Sequence, residues 1–224
     1  MAACRYCSCS SWLFALNPSG LCGNCEHLVS QELEQRARVL AESARGAEAT
    51  QNPHTKLTRL DLAVAQLEAL AVYERKGIAT PVESPERRLK EAQRERDALL
   101  MKTAKDDLDA TMRGVRDELD PERKAKLLSD LRLRLKDYQT RASSKGPLPA
   151  LEKRARSAAW RVLLDARLNE ARRADKAGEV PAAVRAYRQA QTLLSSPAAS
   201  GPAAVEQRLQ VAERLAALDA GAPG

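Results

Sequence analysis

Apolar residues recur every three or four positions along most of this chain, and glycine and proline punctuate the pattern. From Glu26 to Arg45, Val29, Leu33, Ala37, Leu40 and Ala44 share one face of a predicted helix, with Gly46 as its stop. Residues 46–55 are polar and read as a linker. A second helix over about Lys56 to Lys76 carries Leu57, Leu60, Val64, Leu67 and Ala71, and Gly77 suits a left-handed cap after its last turn. Ser84-Pro85-Glu86 is a helix start: a hydroxyl, a proline at the first position and an acid in the first turn. The helix it opens runs to about Leu119, roughly 50 Å. Its narrow stripe (Leu89, Ala92, Ala104, Leu108, Met112, Val115) has charged flanks, as in a coiled coil. Asp120-Pro121-Glu122 repeats the start signal for a fourth helix bearing Leu131, Leu135 and Tyr138. After a break at 143–149, a fifth helix runs to about Ala177 with Leu151, Ala155, Ala158, Val162, Ala166 and Ala171 inward. Pro181 to Ser195 and Pro202 to Leu218 complete the series. Short breaks between long helices favour antiparallel neighbours. The pattern predicts an all-α chain of antiparallel helical hairpins, partly extended or coiled-coil-like.

Composition agrees. Among 224 residues there are 40 Ala and 31 Leu against 11 Val, 1 Ile and 1 Phe. β-branched and aromatic side chains fill pleated sheets, so a Rossmann fold, sandwich or barrel is excluded. No apolar run approaches the roughly 20 residues that span a bilayer. Trp12 to Leu16 is too short for the core of an export signal. The expected setting is therefore cytoplasmic and reducing, with no membrane association.

All five cysteines, Cys4, Cys7, Cys9, Cys22 and Cys25, fall at the front of the chain, where a disulfide framework could constrain little of it. Cys4 and Cys7 are separated by two residues, as are Cys22 and Cys25. One tight turn can aim both sulfurs of such a pair at one ion, and two pairs complete a tetrahedral shell suited to zinc. Asn17-Pro18-Ser19-Gly20 is a turn signal between them. Cys4, Cys7, Cys22 and Cys25 are the expected ligands of one structural Zn2+ per chain. Cys9 is the spare, and His27 is expected on the helix surface. Trp12, Leu13, Phe14 and Leu16 are expected to form a short hairpin and an apolar lid. The arrangement resembles a treble-clef or zinc-ribbon finger over roughly residues 4 to 45. In treble clefs the second Cys-x-x-Cys opens a helix.

Ala171, Gly178, Ala183, Tyr187 and Ala190 are spaced in a way that resembles one tetratricopeptide repeat, although Arg167 and Glu170 occupy the positions where that family carries Trp and Leu. The resemblance implies a close-packed hairpin with a groove for peptide. The division expected is residues 1–45 for finger and leading helix, 46–55 for linker, 56–145 for a long helical hairpin region and 146–221 for the C-terminal hairpins.

The formal charge is +7 and uneven. Basic stretches cover 123–136 and 153–173, and 106–122 is acidic. If the chain reverses at Asp120-Pro121, the acidic stretch lies beside the first basic one, with position 109 near 132. The second basic stretch has no such counterpart in view. On it Lys153, Arg156, Trp160 and Arg167 form a candidate phosphate-binding group, with the indole stacking on a base.

No phosphate loop, nucleophile elbow or metal-binding histidine pair is present, and no small-molecule substrate is suggested. The expectation is a non-enzymatic, zinc-binding helical scaffold or adaptor that mediates protein–protein interaction or self-association, the latter through the 85–142 hairpin. The alternative is a nucleic-acid-binding factor using the finger and basic helix 153–173.

Overall fold

A computed structural model describes residues 3–10, 15–144, 146–196, 199 and 201–220. Among these the chain is all-α. Seven helices follow one another: α1 Gly23–Ala49, α2 Pro53–Arg75, α3 Pro85–Asp117, α4 Pro121–Arg141, α5 Leu148–Lys176, α6 Val180–Leu194 and α7 Pro202–Ala220. The only β-type pairing among the described residues is an isolated antiparallel bridge, Ala3 to Ser10. Among the described residues no helix is long and apolar enough to cross a membrane.

The expected 46–55 linker shrinks to three residues. Gly46 lies inside α1, where the Arg59 side chain covers it; a Cβ there would meet Arg59 Nε at 3.1 Å. It is a packing glycine rather than a stop. The real punctuation is Asn52-Pro53: the Asn52 side chain accepts from the amides of His54 and Thr55 at 2.9 and 3.2 Å, and proline takes the first turn. α2 ends as its glycine predicts. Gly77 has φ +69°, Ile78 N–H returns to Tyr73 O and Gly77 N–H to Glu74 O, which is the Schellman pattern. α5 ends the same way, with Gly178 at φ +74° and Glu179 N–H on Ala174 O. Asp120 Oδ1 caps α4 through the Glu122 amide at 2.9 Å. At the start of α3 the Glu86 amide is taken by the Glu74 carboxylate, at 2.8 Å.

The chain divides into two compact units, and the division differs from the expected boundaries. The first comprises residues 1–103 and 141–145; the second comprises 104–140 and 146–224. The boundary crosses α3, which sequence periodicity reads as one element. In the first unit α1 and α2 run antiparallel, and Leu89 and Ala92 of α3 complete the core of Val29, Leu33, Leu40, Leu67 and Leu70. A polar network invisible to periodicity holds residues 141–144 there. Arg96, 8 % exposed, faces Asp61 at 3.6 Å and donates to Ser143 Oγ at 2.7 Å. Arg141 pairs with Asp61 at 2.6 Å, and Asp97 accepts the amides of Ser143 and Ser144.

In the second unit the helices form an up-and-down series. The acidic and basic stretches do meet, in the antiparallel register expected for 109 beside 132: Asp107 receives Arg134 at 3.5 Å and also Tyr138, one turn further along α4, at 2.9 Å. Leu128, Leu131 and Leu135 are fully buried, so the apolar stripe of α4 is already covered within the chain. α5 and α6 close on Ala171, Ala183 and Ala190, all 0 % exposed, with Tyr187 in the groove and Val211, Leu215 and Leu218 of α7 over them. The inward face of α5 is Leu148, Ala155, Leu164, Leu168, Ala171 and Ala174. The expected stripe through Ala158, Val162 and Ala166 is only half-buried. The seam rotates because the start of α5 faces α4, through Glu152 and Arg132 at 2.9 Å, whereas its end faces α6.

Candidate metal centre

The two cysteine pairs converge. The Sγ atoms of Cys4, Cys7, Cys22 and Cys25 all lie within 4.8 Å of one another, with Cys7 exposed and the others buried. Local backbone chemistry explains the geometry. Ser8, at φ +62°, and the hydrogen bonds Ser8 N–H to Cys4 O and Cys4 N–H to Cys9 O fold residues 4–9 into a knuckle. Asn17 closes the predicted turn twice, its carbonyl accepting from Gly20 and its side chain from Leu21, each at 2.8 Å. That turn delivers Cys22 to the start of α1, where its amide donates to Cys4 Sγ at 3.4 Å. Cys25 sits in the first turn of α1, beside the positive end of the helix dipole.

The arrangement fits a tetrahedral metal. A regular four-sulfur shell with metal–sulfur bonds of about 2.3 Å has edges of about 3.8 Å; Cys7 and Cys22 sulfurs stand 3.9 Å apart. That is far beyond the ~2.05 Å of a disulfide, and all five cysteines are free thiols. The amides of Cys7 and Cys22 hold the Cys4 thiol down to about 6. The Cys22 thiol, followed by burial and the remaining sulfurs, pushes Cys25 up to about 12. Four sulfurs this close cannot all be charged unless a cation stands among them. With all four positions filled by protein sulfur, no ligand position is left open for substrate. Cys9 is exposed and outside the group, and His27 is exposed on α1. Trp12, Leu13 and Phe14 lie outside the described residues.

The knuckle is built into the helical core, which sequence reading missed. Cys4, Leu21, Cys22 and Cys25 belong to the same apolar cluster as Val29, Leu70, Tyr73 and Ile78. Arg5 lies across two left-handed glycines, Gly20 and Gly77, and its guanidinium donates to Gly77 O at the end of α2. A cation there also suits the negative end of the α2 dipole. Tyr6 stacks on Tyr73, with ring centroids 6.1 Å apart, and Lys76 stands 5.5 Å over Tyr6. Tyr73 O–H in turn donates to Glu32 at 2.7 Å, holding that carboxyl below its usual range. The signal was present as Arg5-Tyr6 between the first two cysteines, but only the tertiary fold says what they touch.

The four candidate phosphate ligands on α5 have different surroundings. Lys153 and Arg156 are exposed. Trp160 is half-buried and its indole N–H donates to Leu193 O at 2.9 Å, so its ring belongs to the α5–α6 packing. Arg167, expected to lack a counterpart, is held by Glu122 at 2.8 Å and Glu170 at 2.9 Å. No protein-family model matches the chain, and neither does any curated protein or solved structure.

Proposed function

We propose that this chain is a non-enzymatic helical adaptor whose N-terminal knuckle is fixed by one structural zinc ion held by Cys4, Cys7, Cys22 and Cys25. The observation that carries the reading is the closed four-sulfur site sharing a core with α1 and α2. Such a site holds shape rather than performing chemistry, because substrate has no position to enter. A reducing, cytoplasmic setting suits five free thiols. For the adaptor role the helices offer solvent-facing apolar residues. Val205 and Leu209, 51 % and 60 % exposed, stand one turn apart on α7, and Leu28 on α1 is 62 % exposed. On the 85–142 hairpin the buried stripe of α4 is not such a surface, but Leu119 and Leu133, 90 % and 62 % exposed, are.

Elemental analysis of the purified chain tests the first part: about one zinc per chain is expected, strongly reduced by Cys22→Ser. Iron in the same shell would replace zinc in this reading, and no bound metal would end it. Light scattering across concentration tests self-association, expected to rise with concentration and to be lost in Leu209→Glu with helicity unchanged. A strict monomer throughout leaves a separate protein partner as the only adaptor reading.

A further inference from the structure

α5 carries four acids, and three of them are engaged by arginines, two on other helices and one on α5 itself. Glu152 pairs with Arg132, Glu170 with Arg167 and Asp175 with Arg214 in a two-pronged contact of 2.6 and 2.7 Å. The helix nonetheless exposes Arg154, Arg161, Arg172 and Lys176. None of these four is in an ion pair or side-chain hydrogen bond among the described residues. Their spacings are seven, eleven and four residues, each close to a whole number of turns at 3.6 residues per turn. The four therefore stand in one line about 33 Å long. At its C-terminal end a shallow depression of about 220 Å³ is lined by Asn169, Arg172, Arg173 and Lys176, three cations and an amide with no carboxylate. The single acid within the line is Asp165, between Arg161 and Arg172.

We propose that this stripe, Arg154, Arg161, Arg172 and Lys176, tracks the phosphate backbone of a nucleic acid without reading its bases. Linear spacing of unpaired cations matches a linear array of phosphates, and each neutralised phosphate releases condensed counterions. Base stacking is not part of the site, because the one aromatic on α5, Trp160, is committed inward. An anionic membrane surface fits less well. Helices that lie on membranes sink an apolar face beside their basic one, and none of the large exposed apolar residues belongs to α5.

The test is binding of the full, metal-loaded chain to a fluorescent single-stranded oligonucleotide of mixed sequence, followed by anisotropy. Four phosphate contacts predict that affinity falls roughly fiftyfold between about 50 and about 200 mM salt, with little dependence on base composition. Arg172→Glu with Lys176→Glu should weaken binding more than tenfold, and Asp165→Asn should strengthen it. Arg38→Glu with Arg94→Glu makes the same change in net charge on exposed positions of α1 and α3 and should have a much smaller effect. Metal content and circular dichroism confirm that each variant is folded. Equal weakening by the two double variants would show attraction by net charge alone and overturn the stripe. Salt-insensitive binding, no binding at low salt, or binding to phosphatidylserine vesicles in place of the oligonucleotide would overturn it too.

Discussion

At the scale of single residues, side chains that look alike in sequence have divergent fates because of what the fold sets beside them. Arg5 and Arg167 hold pieces of structure together, whereas Arg154 and Arg161 face water. Asp175 is the clearest case. It accepts both nitrogens of Arg214 and the Tyr187 hydroxyl, at 3.4 Å, and the Arg214 guanidinium holds its carboxyl below the usual range. A carboxyl whose pKa is lowered by folding adds stability above its unfolded pKa and loses it as pH falls through the folded value. Asp175→Asn should therefore be less stable than the parent chain near neutral pH, with the gap closing as pH drops below the ordinary carboxylate range. Urea unfolding at several pH values reads this directly. A gap independent of pH would mean that the ion pair is not its source.

At the scale of elements, glycine does different jobs at positions that read alike. Gly77 and Gly178 both close Schellman caps with positive φ, and alanine in that conformation costs about 1–2 kcal/mol. At Gly178 a Cβ meets nothing within 4 Å, whereas at Gly77 it meets Arg5 Nη1 at 2.9 Å. Gly178→Ala should therefore cost only the conformational penalty, and Gly77→Ala that penalty plus disturbance of the Arg5 bridge. Urea midpoints of the two variants compare them, and equal losses would argue against the bridge. These elements show what the sequence makes legible. Helix identity, the Asp120 and Gly77 signals and the cysteine pairs could be read because each rests on local chemistry within a few residues. The packing of Gly46, the turning seam of α5 and the inward-facing Trp160 could not, because each depends on which helix lies opposite. The Arg96 network was hidden for the same reason: on a heavily charged helix, nothing local marks the one arginine that is buried.

At the scale of the whole molecule, each compact unit has its own core, and only the first contains the cysteines. Chelation under reducing conditions takes the proposed ion from among the four sulfurs, three of them on buried cysteines and one on the exposed Cys7. Hydrogen exchange should then show lost protection in the amides of α1 and α2 while α5–α7 keep theirs. Uniform loss would mean that the metal supports more than its own unit. Everything in the adaptor reading depends on one cation gathering four sulfurs. X-ray absorption at the metal edge of the purified full chain tests that most directly. The prediction is four sulfur neighbours at about 2.3 Å and no nitrogen or oxygen in the shell. A mixed shell, or sulfurs joined to one another with no metal between them, would contradict it.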